Sequence, residues 1–224
     1  IQITENRHAG YDPQNYLVFD DDYPQMLKEI YAPPICLYIK GNLQLLKMQN
    51  ISLIGCRKCS QYGKKTAYYF SYNLSKAGFN IVSGLARGID SYSHIGCLAA
   101  KGKTIAVMGS GLDNIYPKEN EQLVNEIIKQ NGAIITQYPL GTKPEKNNFP
   151  ARNRIISGLS KAVLVIEARA KSGTLITVDF ALEQGKDVFA VPGNINSANS
   201  VGSNELIKQG AIPVCNYKDI LDNI

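Results

Sequence analysis

From position 51 onward, short apolar runs alternate with longer stretches in which apolar residues recur at helical spacing. The runs are "ISLIG" (51–55), "FNIVSG" (79–84), "TIAVMGSG" (104–111), "GAIITQY" (132–138), "AVLVIEA" (162–168), "DVFAVPG" (187–193) and "AIPVC" (211–215). Between the first two, "YGKKTAYYFSYNLSKAG" places Ala67, Phe70, Leu74 and Ala77 on one helical face. Continuous apolar strands joined by helices are buried on both faces, which indicates a mainly parallel sheet. The pattern predicts an α/β domain over residues 51–224: a Rossmann-like, doubly wound, mainly parallel sheet with helices on both faces.

Residues 1–50 break the alternation and are rich in Tyr and Pro ("YDPQNY", "DDDYPQML", "YAPPICLYIKG"). They predict a small N-terminal extension packed on the main domain, with a helix near Gln25–Ile30 and an extended piece at Ile35–Ile39. "GNINSANSVGSNE" (193–205) is the most loop-like long stretch. There is no internal repeat. The chain starts at Ile1 and shows no signal peptide, so a trimmed or partial chain is expected.

A chain of 224 residues, 44% hydrophobic and 19% charged, suffices for a sizeable core. No apolar run reaches membrane-spanning length. The net charge of +5 permits a polyanionic partner without demanding one. Five scattered cysteines do not form a secreted disulfide framework and point to a reducing, cytoplasmic compartment.

Ligands of this fold class bind at the carboxyl ends of the strands. There the chain carries "GCRKCS", "SGLARGID", "GSGLDNIYP", "PLGTKPEKNNFPARNR", "EARAKSGT" and "PGNINS". Glycines such as Gly55, Gly84 and Gly173 let backbone N–H groups approach an anion, and the following helix N-termini point at it. Of the six arginines, Arg57, Arg87, Arg152, Arg154 and Arg169 fall in these loops or helix starts, and only Arg7 does not. Arginine suits bidentate phosphate contacts. A single arginine is more simply paired with a carboxylate such as Asp90, Asp113 or Glu167; five on one rim favour an anion site.

"NFPARNRIISGLS" sharpens the point. With Pro150 as the first helical position, Arg152 and Arg154 stand at the helix end that favours anions over cations. A bound phosphate relieves that conflict, and Gly158, on the face of Arg154, leaves room for a ligand or loop. Ser172 and Gly173 in "KSGTLIT" read as an N-cap and an anion-binding helix start, not as a nucleophile elbow. Phe149, beside Lys146, is either a staple under the following helix or a platform on which a base stacks.

Other chemistry is disfavoured. The dinucleotide and P-loop glycine motifs are absent. Cys56 and Cys59 form a C-x-x-C, but the intervening Arg-Lys does not fit a thioredoxin-like pair and zinc lacks two further ligands. His94 is expected near the rim in a polar or supporting role. Neither a catalytic set, nor a cofactor, nor a metal is expected.

Together, "SGLARGID", "AVMGSGLDNIYPKEN", "NFPARNRIISGLSKAVLVIEA", "SGTLITVDFALEQGKDVFAVPG" and "GSNELIKQGA" closely resemble the DNA-processing protein A family, DprA or Smf. The resemblance extends to the leader "DDYPQMLKEIYAPPICLYIKGN" and implies a bacterial cytoplasmic protein, usually a homodimer. Such proteins bind single-stranded DNA, protect it during natural transformation and help load the RecA recombinase. It also implies a DNA pocket built from Gly55-Cys56-Arg57, from the Lys146–Phe149 loop and from Arg152, Asn153 and Arg154. Cys56 replaces the family's small hydroxyl residue. Some members add an N-terminal helical domain or a C-terminal winged helix; no winged helix is expected in these residues. The rival reading is a nucleotide sensor or phosphoribohydrolase of related fold. Those hydrolases carry P-G-G-x-G-T-x-x-E, whereas this chain lacks the paired glycines and has Ile176-Thr177 where the glutamate falls.

Overall fold

The computed structural model describes residues 14–224, so Arg7 and the first part of the expected extension lie outside the described residues. The strands are β1 (Gln14–Leu17), β2 (Cys36–Gly41), β3 (Asn50–Ile54), β4 (Asn80–Ser83), β5 (Thr104–Val107), β6 (Ala133–Thr136), β7 (Ala162–Val165), β8 (Asp187–Ala190) and β9 (Ile212–Pro213). They form one sheet in the order β1-β2-β6-β5-β4-β3-β7-β8-β9. From β6 to β9 the strands pair parallel; β1–β2 and β2–β6 pair antiparallel. This is the mainly parallel α/β architecture that the alternation predicts. Each of these strands ends before its apolar run does, because the last residues of the run turn outward as strand-end loops.

The helices are α1 (Gln25–Lys28), α2 (Gln61–Lys76), α3 (Ile89–Ala99), α4 (Glu121–Lys129), α5 (Asn148–Gly158), α6 (Gly173–Glu183), α7 (Val201–Lys208) and α8 (Lys218–Leu221). Alternate strand residues face opposite helix layers. On β3, Ile51 and Leu53 pack with Phe70 and Leu74 of α2. Ile54 packs toward Ile155 and Ile156 of α5, and Ser52 between them donates to the Ile156 carbonyl at 2.9 Å. The α2 and α5 layers therefore belong to separate apolar cores on the two faces of one sheet.

The described part of the expected extension carries β1 and β2, and β2 hydrogen-bonds along β6 from Tyr38↔Thr136 to Gly41↔Ala133. Its helix α1 and the turn that follows bury Leu27 and Ile30, respectively, in the α5-side core. Two local expectations need correction. The second part of "GNINSANSVGSNE" is helical, as α7, with Gly202, Ser203 and Leu206 on its buried face. Its polarity hid the helix because that face is built of small residues. Gly202 approaches so closely that a Cβ there would lie 2.8 Å from the Ala168 and Arg169 carbonyls. In turn, α5 begins at Asn148, which makes Pro150 its third residue. The proline still falls within the first turn, where its missing N–H costs nothing.

Strands β3 to β6 run one way across the sheet and β7 to β9 the other. The strand order thus reverses between β3 and β7, and loops there diverge to leave a crevice at the carboxyl ends.

Candidate nucleic-acid interface

A cleft of about 640 Å³ occupies that crevice. Its floor is the β3 end with Ile54, Gly55 and Cys56, together with Asp90 from the first turn of α3 and Arg152 from α5. One wall carries Tyr116, Pro144, Lys146 and Phe149; the other carries Arg169 and the N-terminus of α6 from Ser172 to Thr177. The exposed lining cations are Arg57, Lys58, Lys146 and Arg169.

The arginines divide into three kinds. Arg57 and Arg169 are exposed at the mouth. Arg57 lies 5.4 Å from the Phe149 ring centroid, and Arg169 is steadied by donating from Nε to Asn199 Oδ1 at 2.7 Å. Arg152 lines the floor but is only 3% exposed. Its Nη1 donates to the Gly84 carbonyl at 2.7 Å and also to the Val107 carbonyl. It ties the ends of β4 and β5 to α5. Arg87 and Arg154 do not line the cleft. Arg87 makes a two-pronged contact with Glu119, and Arg154 donates to the Ala32 carbonyl at 2.8 Å, to Gln137 Oε1 at 2.6 Å and to the Ala151 carbonyl. The expected anion at Arg154 is therefore replaced by neutral acceptors on the α1 side of α5. Gly158 shares that side: a Cβ there would lie 2.9 Å from Leu27, so its missing side chain admits α1 and not a ligand.

Gly84 also leaves the expected set. A Cβ at Gly84 would meet Arg152 Nη2 at 2.7 Å and Asp90 Oδ2 at 2.8 Å, so the glycine makes room for two buried charged side chains beneath the cleft. Burial raises the Asp90 carboxyl to about 6, against the pull of Arg152, the Ala86 N–H and Arg57. Burial likewise lowers Arg152 to about 10, with Asp90 opposing. Of the other acids weighed as arginine partners, Asp113 accepts from the Gly141 N–H at 2.9 Å and Glu167 accepts from the Ser60 N–H at 2.9 Å. Glu167 so caps the start of α2 instead of neutralising the rim.

Phe149 sits on Gly109, where a Cβ would lie 2.9 Å from the ring, and its centroid is 5.6 Å from that of Tyr116. The ring lines the cleft beside a second, 39%-exposed aromatic. Asn153 lines the floor beside Gly173. Ser172 is the N-cap of α6, yet its side chain makes no capping bond, and its buried Oγ finds no partner among the described residues. No acidic residue occupies the first turn of α6. An uncapped helix start with free N–H groups favours an anion.

Eight of the expected residues line this one cleft: Gly55, Arg57, Lys146, Phe149, Arg152, Asn153, Ser172 and Gly173. Tyr116 and Lys58 were missed. Tyr116 stands in a quoted strand-end loop, and an aromatic next to the rim was the available signal.

His94 is not near the rim: it is fully buried between α3 and β5. Thr104 Oγ1 gives its proton to the Ile81 carbonyl, so His94 Nδ1 must donate to Thr104 Oγ1 at 2.7 Å. Burial, helped by Arg152, lowers its pKa to about 3. The Cys56 and Cys59 thiols are free and both raised by burial, opposite to the lowered pKa of a redox-active pair. Among the described residues, no His, Cys, Asp and Glu cluster suits a metal ion, and no helix is long and apolar enough to cross a membrane.

The family model described as DNA recombination-mediator protein A matches residues 14–224. Protein Smf of Synechocystis sp. is 44% identical over 221 residues, covering 97% of this chain and 55% of that protein. The DNA processing protein DprA of Streptococcus pneumoniae is 45% identical over 207 residues, covering 92% of this chain and 73% of its own length. The X-ray structure of the pneumococcal protein superposes with a TM-score of 0.90 over 95% of this chain and 74% of that one. DprA of Helicobacter pylori, whose structure concerns a single-stranded DNA binding mode, is 31% identical with a TM-score of 0.83, over 93% of this chain and 94% of that one. The chain thus spans about half the length of the Synechocystis relative. By sequence and by fold, the chain belongs to the DNA recombination-mediator protein A family.

Proposed function

We propose that this chain binds single-stranded DNA in the strand-end cleft, by contact and not by catalysis. The observation that carries the reading is the convergence of Arg57, Lys58, Lys146 and Arg169 with the Tyr116–Phe149 pair around one crevice. Cations take the phosphates and an aromatic face takes a base, the two elements of sequence-tolerant single-strand binding. The start of α6, with Ser172 and Gly173, offers a further phosphate seat from its backbone N–H groups. In a duplex both faces of each base are covered by neighbouring pairs and cannot lie flat on Phe149, so duplex DNA binds poorly. Family membership and the single-stranded DNA binding mode of the H. pylori relative support the same reading.

Family membership supports a wider reading of the same activity. The bound strand is incoming DNA in natural transformation, held against degradation and passed to the RecA recombinase by a cytoplasmic homodimer. The rival nucleotide hydrolase finds no support in the cleft: Ile176 and Thr177 line it where that chemistry places a glutamate. Incubation with nucleoside monophosphates should release no free base.

Gel shift with a single-stranded oligonucleotide tests the pocket. Arg57→Ala and Lys146→Ala should each weaken binding severalfold while thermal unfolding stays as in the wild type. Unchanged affinity in both variants removes the pocket assignment.

A further inference from the structure

Beyond the cleft, the carboxyl edge of the sheet continues past β7 to β8 and β9. A shallow depression of about 500 Å³ lies there, lined by Ser60, Glu167, Asn194 and Ser200. It leads into a groove of about 390 Å³ between α2 and the ends of β8 and β9. Tyr62 and Pro192 line both. The depression adjoins the cleft through Asn199, which contacts Glu167 at 3.4 Å, the Lys58 carbonyl at 3.1 Å and Arg169 at 2.7 Å. Cleft, depression and groove thus follow one another along a single edge.

The groove has a distinct face. Tyr62, Lys65 and Tyr69 lie at successive turns of one side of α2. Tyr62 is 51% exposed and Tyr69 41% exposed, large aromatic surfaces that no described residue covers. Tyr62 is held in place by donating to the Pro192 carbonyl at 3.2 Å, and Tyr69 meets the Tyr217 ring at 6.3 Å. The charge along the whole edge has one sign. Its exposed lining charges are Arg57, Lys58, Lys146, Arg169 and Lys65, while its acids, Asp90 and Glu167, are buried at 7% and 2% exposure. Asp219, beyond the groove, is taken up by the Cys215 and Asn216 N–H groups.

From these observations we infer that the Tyr62–Lys65–Tyr69 groove is a second base-stacking site, taken by nucleotides that continue the strand out of the cleft. The inference rests on the single-strand reading of the cleft. The groove lies two strand spacings beyond β7, about 10 Å, so about three stacked nucleotides at about 3.4 Å each bridge the gap. Lys65 meets a phosphate, and the two tyrosine rings meet bases, with no base edge read.

The test compares a thymidine oligonucleotide of about six nucleotides, enough for the cleft, with one of about 20, enough for both sites. Fluorescence anisotropy gives the affinities, and sedimentation gives the oligomeric state. Tyr62→Leu with Tyr69→Leu keeps apolar cover on α2 but removes the rings; Lys65→Ala removes the charge. The double variant should bind the short strand as the wild type does and lose about fivefold or more on the long one. Lys65→Ala should lower the salt slope on the long strand only. Equal binding of both lengths by all variants overturns the inference, as does a change of oligomeric state in the variants without a length effect. A wild-type protein that binds neither strand instead overturns the cleft reading itself.

Discussion

Replacing Arg152 with alanine should cost the fold, not merely a ligand contact. The guanidinium is 3% exposed and donates to the carbonyls at the ends of β4 and β5. It is also the cation nearest in effect to the buried Asp90 carboxyl. Its removal strands two buried carbonyls, at about 1–3 kcal/mol each, and takes away the main favourable charge acting on the Asp90 carboxylate, together about 3–5 kcal/mol. For a chain of this length that lowers the melting temperature by roughly 6–20 °C. Circular dichroism during heating at neutral pH measures it. Arg152→Met with Asp90→Asn, which removes both charges and keeps volume, should recover part of the loss, because no buried carboxylate is then left without its cation while the two carbonyls stay unpaired. The reasoning fails if Arg152→Ala melts within about 1 kcal/mol of the wild type, or if the double variant is no better than the single one.

Three further outcomes follow from the same geometry. Arg57→Ala should reduce the salt slope of single-strand binding by about 0.7, whereas Arg87→Ala, whose charge is already held by Glu119, should leave it unchanged; anisotropy at several salt concentrations separates them. Phe149→Leu should weaken binding by about 1–3 kcal/mol with no change in salt slope, because a stacking face is lost and no charge; a changed slope contradicts the stacking role. The pH dependence of stability should divide between Asp90 and His94. The folded Asp90 pKa is raised from 3.8 to about 6, so its contribution is complete below about 4 and is lost as pH rises through 6. The folded His94 pKa is lowered from 6.5 to about 3, so its contribution is present above 6.5 and is lost as pH falls toward 3. Denaturant unfolding of Asp90→Asn and His94→Gln between those values should show slopes against pH that depart from the wild type in opposite directions.

The parallel sheet was legible because each strand buried on both faces leaves an unbroken apolar run, as in "AVLVIEA". The strand-end cleft was legible for the same reason: order along the chain sets which loops share an edge. The destinations of the arginines were not. Arg152 and Arg154 are two residues apart on α5, and the turn between them sends one under the cleft and the other toward α1. Arg87 found its acid in Glu119, 32 residues away, which local spacing does not announce. The small-residue face of α7 and the pairing of β2 with β6 depend on close approach and register, which hydropathy does not encode.

The central claim is that exposed cations and an aromatic pair around the β3–β7 crevice hold a single strand. Equilibrium binding of a thymidine oligonucleotide and of a matched duplex, each titrated with salt, tests it most directly. With Arg57, Lys58, Lys146 and Arg169 engaged, the account predicts a single-strand slope of log affinity against log salt near about −3, from about −0.7 per phosphate neutralised, and weaker duplex binding at every salt concentration. Equal or tighter duplex binding, or a single-strand slope near zero, would contradict it.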